Sequence, residues 1–483
     1  MILGELFAGI PHKLLRGSAA PFISSIEIDS RKVKPGALYV AIRGLSVDGH
    51  GFIGEAVKNG AAAVLADTPA AVPAGLPVAV ALVDDSRAAM SLVAANYFGN
   101  PAKKLQLVGV TGTNGKTTTT VFIEELLRES GFRTGLIGTF GAKVDGEPLD
   151  CSFATSTTPD PLELHGALDV MQKRGVTHVV MEVTSHALHF RKTEGLRFCL
   201  GVFTNLSQDH LDIHGTMESY ALAKAGLFAQ SDAGIANADD EAGRLMLSHL
   251  GQRPRATYGI SSDADFRARD ISFGERTEFA LAKTGQVFSL APKGLFNVYN
   301  ALAAIAAASF LGVASERVAA AVAKLAGVAG RIQEVPNSRG LGVFVDYAHT
   351  PDGLVNIISA VRQFTKGRVI TLVGCGGDRD RTKRPVMGRI AAEMSDFAIL
   401  TSDNPRTEDP HGILSQMEAG IAEGAYGKIE NRRDAIFEGV KMLEKGDSLI
   451  IAGKGHEDYQ IIGAGTVRFS DYDTALEAIQ KCG

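Results

Sequence analysis

Cysteine is scarce in this chain: its 483 residues contain 4, and Cys151, Cys199, Cys375 and Cys482 lie far apart with no CxxC pair. That spacing argues against a disulfide framework and against a thiolate metal site, and it fits a reducing compartment. A long basic run is also missing and the net charge is −5, so composition implies no nucleic-acid partner. Met1–Gly17 carries Glu5 inside its apolar stretch and lacks the basic-then-apolar order of a signal peptide, so a cytoplasmic location is expected. There is no short-period repeat and no low-complexity tail. The uncharged stretch Gly294–Ser315 is long enough to span a bilayer, but Asn297, Tyr299 and Asn300 open it, alanine dominates it and Gly312 ends it. A soluble helix without membrane insertion is the expectation there.

Apolar residues make up 45% and charged residues 21%, and the 54 glycines suit an α/β protein with tight strand-to-helix turns. The length sets a prior of about three domains. A first segment mixes short strand-like runs, Ala37–Ile42 and Ala79–Val83, with a helix at Ile53–Asn59, and closes near Asn100-Pro101. From Leu105–Val110 onward, His178–Val183, Leu200–Asn205 and Gly234–Asn237 are apolar runs that end in polar residues. The alternation restarts after Gly330-Arg331 with Gly342–Asp346, Arg368–Gly374, Phe397–Ser402 and Ser448–Ala452. The expected fold is α/β with three domains: residues 1–98 as a small N-terminal α/β domain, 99–330 as a central P-loop-type domain with a mainly parallel sheet, and 331–483 as a Rossmann-like domain.

Thr111-Gly-Thr-Asn-Gly-Lys-Thr-Thr118 follows one such strand and precedes a helical pattern. In that setting the amides of Gly112, Thr113, Asn114 and Gly115 and the start of the helix point at phosphate oxygens, Lys116 reaches the outer phosphates, Thr117 can hold Mg²⁺, and Thr118 continues the cradle. ATP is the ligand this names. The loop is a variant, because Val110 stands where the general pattern has glycine. A bare glycine turn is the bland reading. Glu182, at the end of an apolar run, could share the Mg²⁺ with Thr117, and His210 could hold a second cation. Taken singly, any of them could be a cap or a satisfied buried polar group, the favoured reading for His210 alone, but taken together with the loop the metal reading wins. Lys224 reads by default as a surface lysine. If it is buried near cations instead, its amine could be neutral and react with CO₂ to give a metal-binding carbamate.

From end to end the sequence resembles the Mur ligases of bacterial cell-wall synthesis. The marks are Asp29-Ser-Arg31 and Asp48-Gly-His50; Thr111–Thr118, Ser156-Thr-Thr158, Met181–His186, Asn205–Asp212, Lys224 and Asn297–Asn300; and Gly330-Arg331, Asp346–Pro351, Gly374–Arg379, Asp403–Arg406 and Gly453–Glu457. The resemblance implies an ATP-dependent ligase that phosphorylates a substrate carboxylate and lets an amine displace phosphate, a reaction that needs charge neutralisation more than a nucleophilic side chain. Lys116, Glu182, His210 and carbamylated Lys224 would supply it, with Asn300 near adenine and Arg331 and Asp346 near ribose. ATP would be gripped between the second and third domains, and closure of the third would complete the site. For a UDP-N-acetylmuramoyl-L-alanyl-D-glutamate substrate, Ile28, Ser30 and Leu45-Ser46-Val47 would meet the nucleotide, and Ser156, Thr157, Thr158, Thr184, Phe190 and Lys192 the muramoyl peptide. Phe190 stands where some relatives have glutamine, and Lys192 where arginine is common, which keeps the charge without the fork.

Asp403-Asn404-Pro405-Arg406 resembles the form found in family members that accept meso-diaminopimelate. Arg379 and Arg406 would hold its distal carboxylate, and Glu457 with Asp403 and the Gly453 backbone its ammonium. L-Lysine lacks that carboxylate and would leave a desolvated arginine unpaired, costing roughly 2–4 kcal/mol. A lysine-adding ligase, a folylpolyglutamate synthetase-like ligase and a nucleotide-gated binding protein are the alternatives, and a monomer is expected. Cys375, His349 and His456 are assigned no catalytic role.

Overall fold

The computed structural model describes residues 1–44, 47–151, 153 and 157–482. The chain divides into two compact units, Met1–Thr257 and Tyr258–Gly483.

Two sheets build the first unit. The smaller contains β1 (Lys13–Arg16), β2 (Ser25–Glu27), β3 (Ala37–Val40), β4 (Ala63–Ala66) and β5 (Ala79–Leu82) in the order β1-β5-β4-β3-β2. Its central strands are apolar throughout, as both faces are covered: Leu38, Val40, Leu65 and Ala81 pack on one side, Tyr39, Val64 and Val80 on the other. The larger sheet holds β6 (Gln106–Thr111), β7 (Thr134–Gly138), β8 (Gly141–Val144), β9 (Glu147–Pro148), β10 (His178–Glu182), β11 (Leu200–Phe203) and β12 (Gly234–Asn237). Within this unit the order is β12-β11-β6-β10-β7-β8-β9, with β6, β7, β10, β11 and β12 parallel. Between β10 and β11 the chain passes from one side of β6 to the other. The carboxyl end of β6 therefore lies at the topological switch point, where open parallel sheets bind ligands.

The strand β13 (Arg255–Gly259) crosses the division between the units. In the second unit its end runs parallel to β14 (Phe266–Phe273), which continues through antiparallel β15 (Thr277–Leu281) and β16 (Val287–Leu290). The alanine-rich stretch forms one helix, Leu295–Phe310, with Val298 and Ala301–Ala308 buried. Among the described residues no helix is long and apolar enough to cross a membrane. A six-stranded sheet follows: β17 (Gln333–Glu334), β18 (Gly342–Asp346), β19 (Val369–Val373), β20 (Phe397–Leu400), β21 (Tyr426–Lys428) and β22 (Ser448–Ala452), ordered β17-β18-β22-β19-β20-β21. All pairs but the β17 edge are parallel, so the carboxyl ends of five strands open on one side. Beneath them Arg432 and Asp471, both wholly buried, form a two-bond ion pair at 2.7 Å. The same guanidinium donates to the carbonyls of Ser402 (3.4 Å) and Ala452 (3.0 Å), pinning the ends of β20 and β22 together.

In the first unit His165 lies on the helix Pro161–Lys173, 1% exposed, and among the described residues neither ring nitrogen finds a hydrogen-bond partner. Burial lowers its pKa from the usual 6.5 to about 4. The unfolded chain therefore takes up this proton first as pH falls below 6.5, and stability is lost down to about pH 4, by roughly 3 kcal/mol in all. His165→Leu should decline less steeply in urea midpoint than the parent between about pH 7 and pH 5. Parallel declines would contradict this.

Candidate functional site

The phosphate loop follows β6 without an intervening residue, and the helix Lys116–Glu129 begins at its end. A Cβ on Gly112 would collide with the Thr204 hydroxyl, so only glycine fits there. The loop is held from β11's side: Thr113 N donates to Asn205 O (2.8 Å), Asn114 N to Asn205 Oδ1 (2.9 Å) and the Thr204 hydroxyl to Asn114 O (2.6 Å). Gly115 is the helix N-cap and brings no side chain to the first amides, which leaves that end to an anion.

Lys116 Nζ donates to the carbonyls of Gly112 (2.9 Å) and Thr113 (2.8 Å). Lys224 Nζ donates to the same Gly112 carbonyl at 2.7 Å. Lys224 is 1% exposed, on the helix Met217–Ala229, so the default reading of a surface lysine is overturned. The reason is packing: the flanking side chains on that helix are alanines, and the Tyr220 ring lies 4.4 Å from Nζ to its centroid. Burial, with the Lys116 ammonium adding to it, pushes this amine well below the usual lysine range. That desolvation favours the neutral, nucleophilic form of the amine, which fits carbamate formation.

Glu182, 1% exposed, closes β10 beside the loop. The Thr117 hydroxyl donates to its Oε2 (2.9 Å) and Thr139 N to its Oε1 (2.8 Å). A buried hydroxyl and carboxylate at the foot of a phosphate-binding helix form a hard oxygen donor set, which fits Mg²⁺. His210 sits with its ring 4.4 Å from that of His186 and its Nε2 3.4 Å from Asp209, and burial lowers its pKa, so the ring is a neutral donor near pH 7. Among the described residues no three His, Cys, Asp or Glu side chains converge on one point, so this set would be completed by Thr117, a modified Lys224 and the ligand's own oxygens.

From Glu182 a chain of bonds leads outward. Its carbonyl accepts from the Thr158 hydroxyl (3.0 Å), which also meets Thr184 Oγ1 (3.2 Å), while Thr184 caps the helix Ser185–His189. Thr157 Oγ1 lies 3.4 Å from that of Thr139, and Lys192 pairs with Asp160 at 2.7 Å. Phe190 is covered by the Arg87 guanidinium, 4.6 Å from its centroid. Of the residues expected to meet the nucleotide, Ile28 and Val47 are exposed, whereas Ser30 is buried and donates to Glu55 (2.8 Å). Leu45, Ser46 and Ser156 lie outside the described residues.

In the second unit Asn297 and Asn300 are buried on one helix, Asn300 Nδ2 3.5 Å from Asn297 Oδ1. Arg331 lies 5.0 Å over the Tyr347 ring. Asp346 receives the amides of Ile332 and Ala348, both at 2.8 Å, and burial raises its pKa against the opposing pull of Arg331. Gly330 packs against the backbone of Gly455 and His456, which sets this group beside the acceptor loops. There Asn404 Nδ2 donates to Glu457 Oε2 (3.0 Å), Gln460 holds the Asp403 carbonyl (2.6 Å), and the Asp403 carboxylate lies against Gly453. Arg406 Nη1 donates to Gly377 O (2.8 Å), and Arg379 is exposed. Cys375 is buried with its thiol pushed up to about 12, so it is inert.

Lys454 escaped the sequence reading. It is fully buried and donates to Glu457 Oε2 (2.9 Å) and Asn404 Oδ1 (3.2 Å), making it the counterion of the acceptor carboxylate. Its signal was its place inside Gly453–Glu457, hidden by the prior that lysines face water. Asn205 and Tyr220, the loop's other supports, carried none beyond lying in or near quoted motifs.

Residues 22–102, 110–308 and 330–455 match the models of the Mur ligase family catalytic domain, the Mur ligase middle domain and the Mur ligase glutamate ligase domain. UDP-N-acetylmuramoyl-L-alanyl-D-glutamate--2,6-diaminopimelate ligases of Geobacillus thermodenitrificans and Halalkalibacterium halodurans are 43% and 44% identical, covering 100% and 95% of both chains respectively. A solved structure of a ligase of that name superposes with a TM-score of 0.71 at 32% identity, over 100% of this chain and 99% of the other. With three domain matches in order and relatives aligned end to end, the chain belongs to the Mur ligase family.

Proposed function

We propose that the chain joins meso-2,6-diaminopimelate to the D-glutamate γ-carboxylate of UDP-N-acetylmuramoyl-L-alanyl-D-glutamate at the expense of ATP, as a cytoplasmic monomer. Residues 1–98 take the UDP end, 99–330 the ATP phosphates and 331–483 the amino acid. The observation that carries this is the acceptor loop, where Asn404 ties a carboxylate, Glu457, to a planar cation, Arg406, through bonds of 3.0 and 3.5 Å. An acceptor end that bears both ammonium and carboxylate satisfies both charges.

The substrate γ-carboxylate attacks the γ-phosphorus, the bond to the ADP oxygen breaks, and an acyl phosphate forms. The acceptor amine then adds to the acyl carbon, loses a proton, and phosphate leaves. Lys116 and the helix amides neutralise the phosphate oxygens in both steps, while Thr158, Thr184 and Lys192 orient the peptide. Mg²⁺ held by Thr117 and Glu182, with a second ion at His210 and carbamylated Lys224, would add Lewis-acid neutralisation of the same oxygens. The carbamate forms when the neutral Lys224 amine bonds to the carbon of CO₂ and releases a proton. Asn300, Arg331 and Asp346 hold the nucleoside.

Phosphate release in the presence of both other substrates should occur with meso-diaminopimelate and fall at least ~100-fold with L-lysine, which forfeits the arginine contact. Equal or better turnover with lysine would overturn the assigned acceptor. Arg406→Ala should raise the KM for meso-diaminopimelate by about 30-fold or more and leave that for the UDP substrate nearly unchanged; an unchanged acceptor KM would remove Arg406 from the site. Lys224→Arg, which keeps a cation but forms no stable carbamate, should lose nearly all ligation with its unfolding transition intact. Normal turnover in that variant would sink the carbamate.

A further inference from the structure

Two turns carry the arginines of the acceptor site. Gly374–Arg379 follows β19 and Asp403–Glu408 follows the end of β20. The turns touch backbone to backbone: Gly377 N donates to Asn404 O (2.9 Å), and a Cβ on Gly377 would collide with the Pro405 carbonyl. Arg384, on the helix Lys383–Met394, is wholly buried beside them. Its fork makes two parallel bonds to Glu408, Nη1 to Oε2 at 3.0 Å and Nη2 to Oε1 at 2.9 Å. Nη2 also donates to Gly376 O (3.1 Å) in the first turn. In return, Glu408 Oε1 receives Asp378 N (2.6 Å), and the Asp378 carboxylate receives Thr407 N (3.1 Å) and Oγ1 (2.8 Å) in the second.

The bonds bracket both arginines in sequence. Gly376 and Asp378 precede Arg379, and Thr407 and Glu408 follow Arg406. Asp378 and Arg406 are themselves in the left-handed region, at φ 53° and 51°. Such conformations are strained and persist only where the surroundings hold them. The Arg384 guanidinium keeps the Glu408 carboxyl ionised, down to about 2, so the fastening stays charged across working pH. A carboxylate gripped by two planar forks tolerates little error in their spacing.

We infer that Arg384 and Glu408 are positioning residues that set the spacing of Arg379 and Arg406, so that selection for an acceptor with a distal carboxylate depends on an ion pair, anchored by a buried guanidinium, that never touches it. This rests on the acceptor reading above. Two variants test it. Arg384→Lys keeps the charge and loses the fork; Thr407→Val, at an exposed position, cuts one bond between the turns without leaving a buried charge unpaired.

Steady-state kinetics should show the meso-diaminopimelate KM raised about tenfold or more in Arg384→Lys and about threefold in Thr407→Val. The KM values for ATP and the UDP substrate should stay within about twofold, and the preference over L-lysine should shrink, because lysine has no group for the displaced forks to lose. If Arg384→Lys does not fold, Thr407→Val carries the test. A rise in all three KM values together, or an unchanged acceptor preference in folded variants, would overturn the inference. Arg406→Ala separates the two levels: if it too leaves the acceptor KM unchanged, the acceptor reading has failed; if it raises that KM while neither clip variant does, only the positioning role has.

Discussion

The buried carboxylate of Glu182 is the junction on which the first unit's site depends. Stripped of water, it is tolerable only because the Thr117 hydroxyl and the Thr139 amide meet its two oxygens. Those bonds join the phosphate-binding helix, the end of β7 and β10, while the residue's own carbonyl reaches the threonines of the peptide side. One acidic group thus fixes the spacing between the phosphate loop and the Thr158–Thr184 pair. Opposite it, Lys116 and Lys224 share the carbonyl of Gly112. Two amines so close, one of them desolvated, cannot both remain charged cheaply. The carbamate proposed on Lys224 would resolve that conflict by turning a repelling cation into a ligand.

The second unit follows the same logic with different pairs. The strand-end loops are backed by buried cations paired with carboxylates: Arg432 with the equally buried Asp471, Lys454 with the partly exposed Glu457, and Arg384 with the partly exposed Glu408. Removing one member of such a pair strands a charge, and the pairs contribute more to geometry than to stability. Acyl transfer through an acyl phosphate demands that kind of precision, since no side chain becomes bonded to the substrate and rate comes from placement and fixed charge.

Much of this was legible in the sequence because the signals were local. β12, β18 and β22 fall where apolar runs place them, and the phosphate loop is named by Gly115-Lys116-Thr117 between a strand and a helix. Asp403–Arg406 could be placed in a strand-end loop because Asn404-Pro405 follows an apolar run, while the acceptor role given to it rests on the family resemblance. What escaped depended on burial. Lys224 read as exposed from composition and proved buried under Tyr220, and Lys454 went unassigned although it lies within a quoted motif. Ser30 faces Glu55 rather than solvent. Side-chain direction in short loops is set by tertiary neighbours, and no periodicity in the chain encodes it.

The most direct measurement of the central claim, that the protein activates a substrate carboxylate by phosphorylating it, follows ¹⁸O placed in the γ-carboxylate of the UDP-linked substrate. The account predicts that one labelled oxygen appears in the inorganic phosphate of each turnover, because the acyl phosphate's bridging oxygen leaves with phosphorus when the amine attacks. Ligation that proceeds with unlabelled phosphate would contradict it.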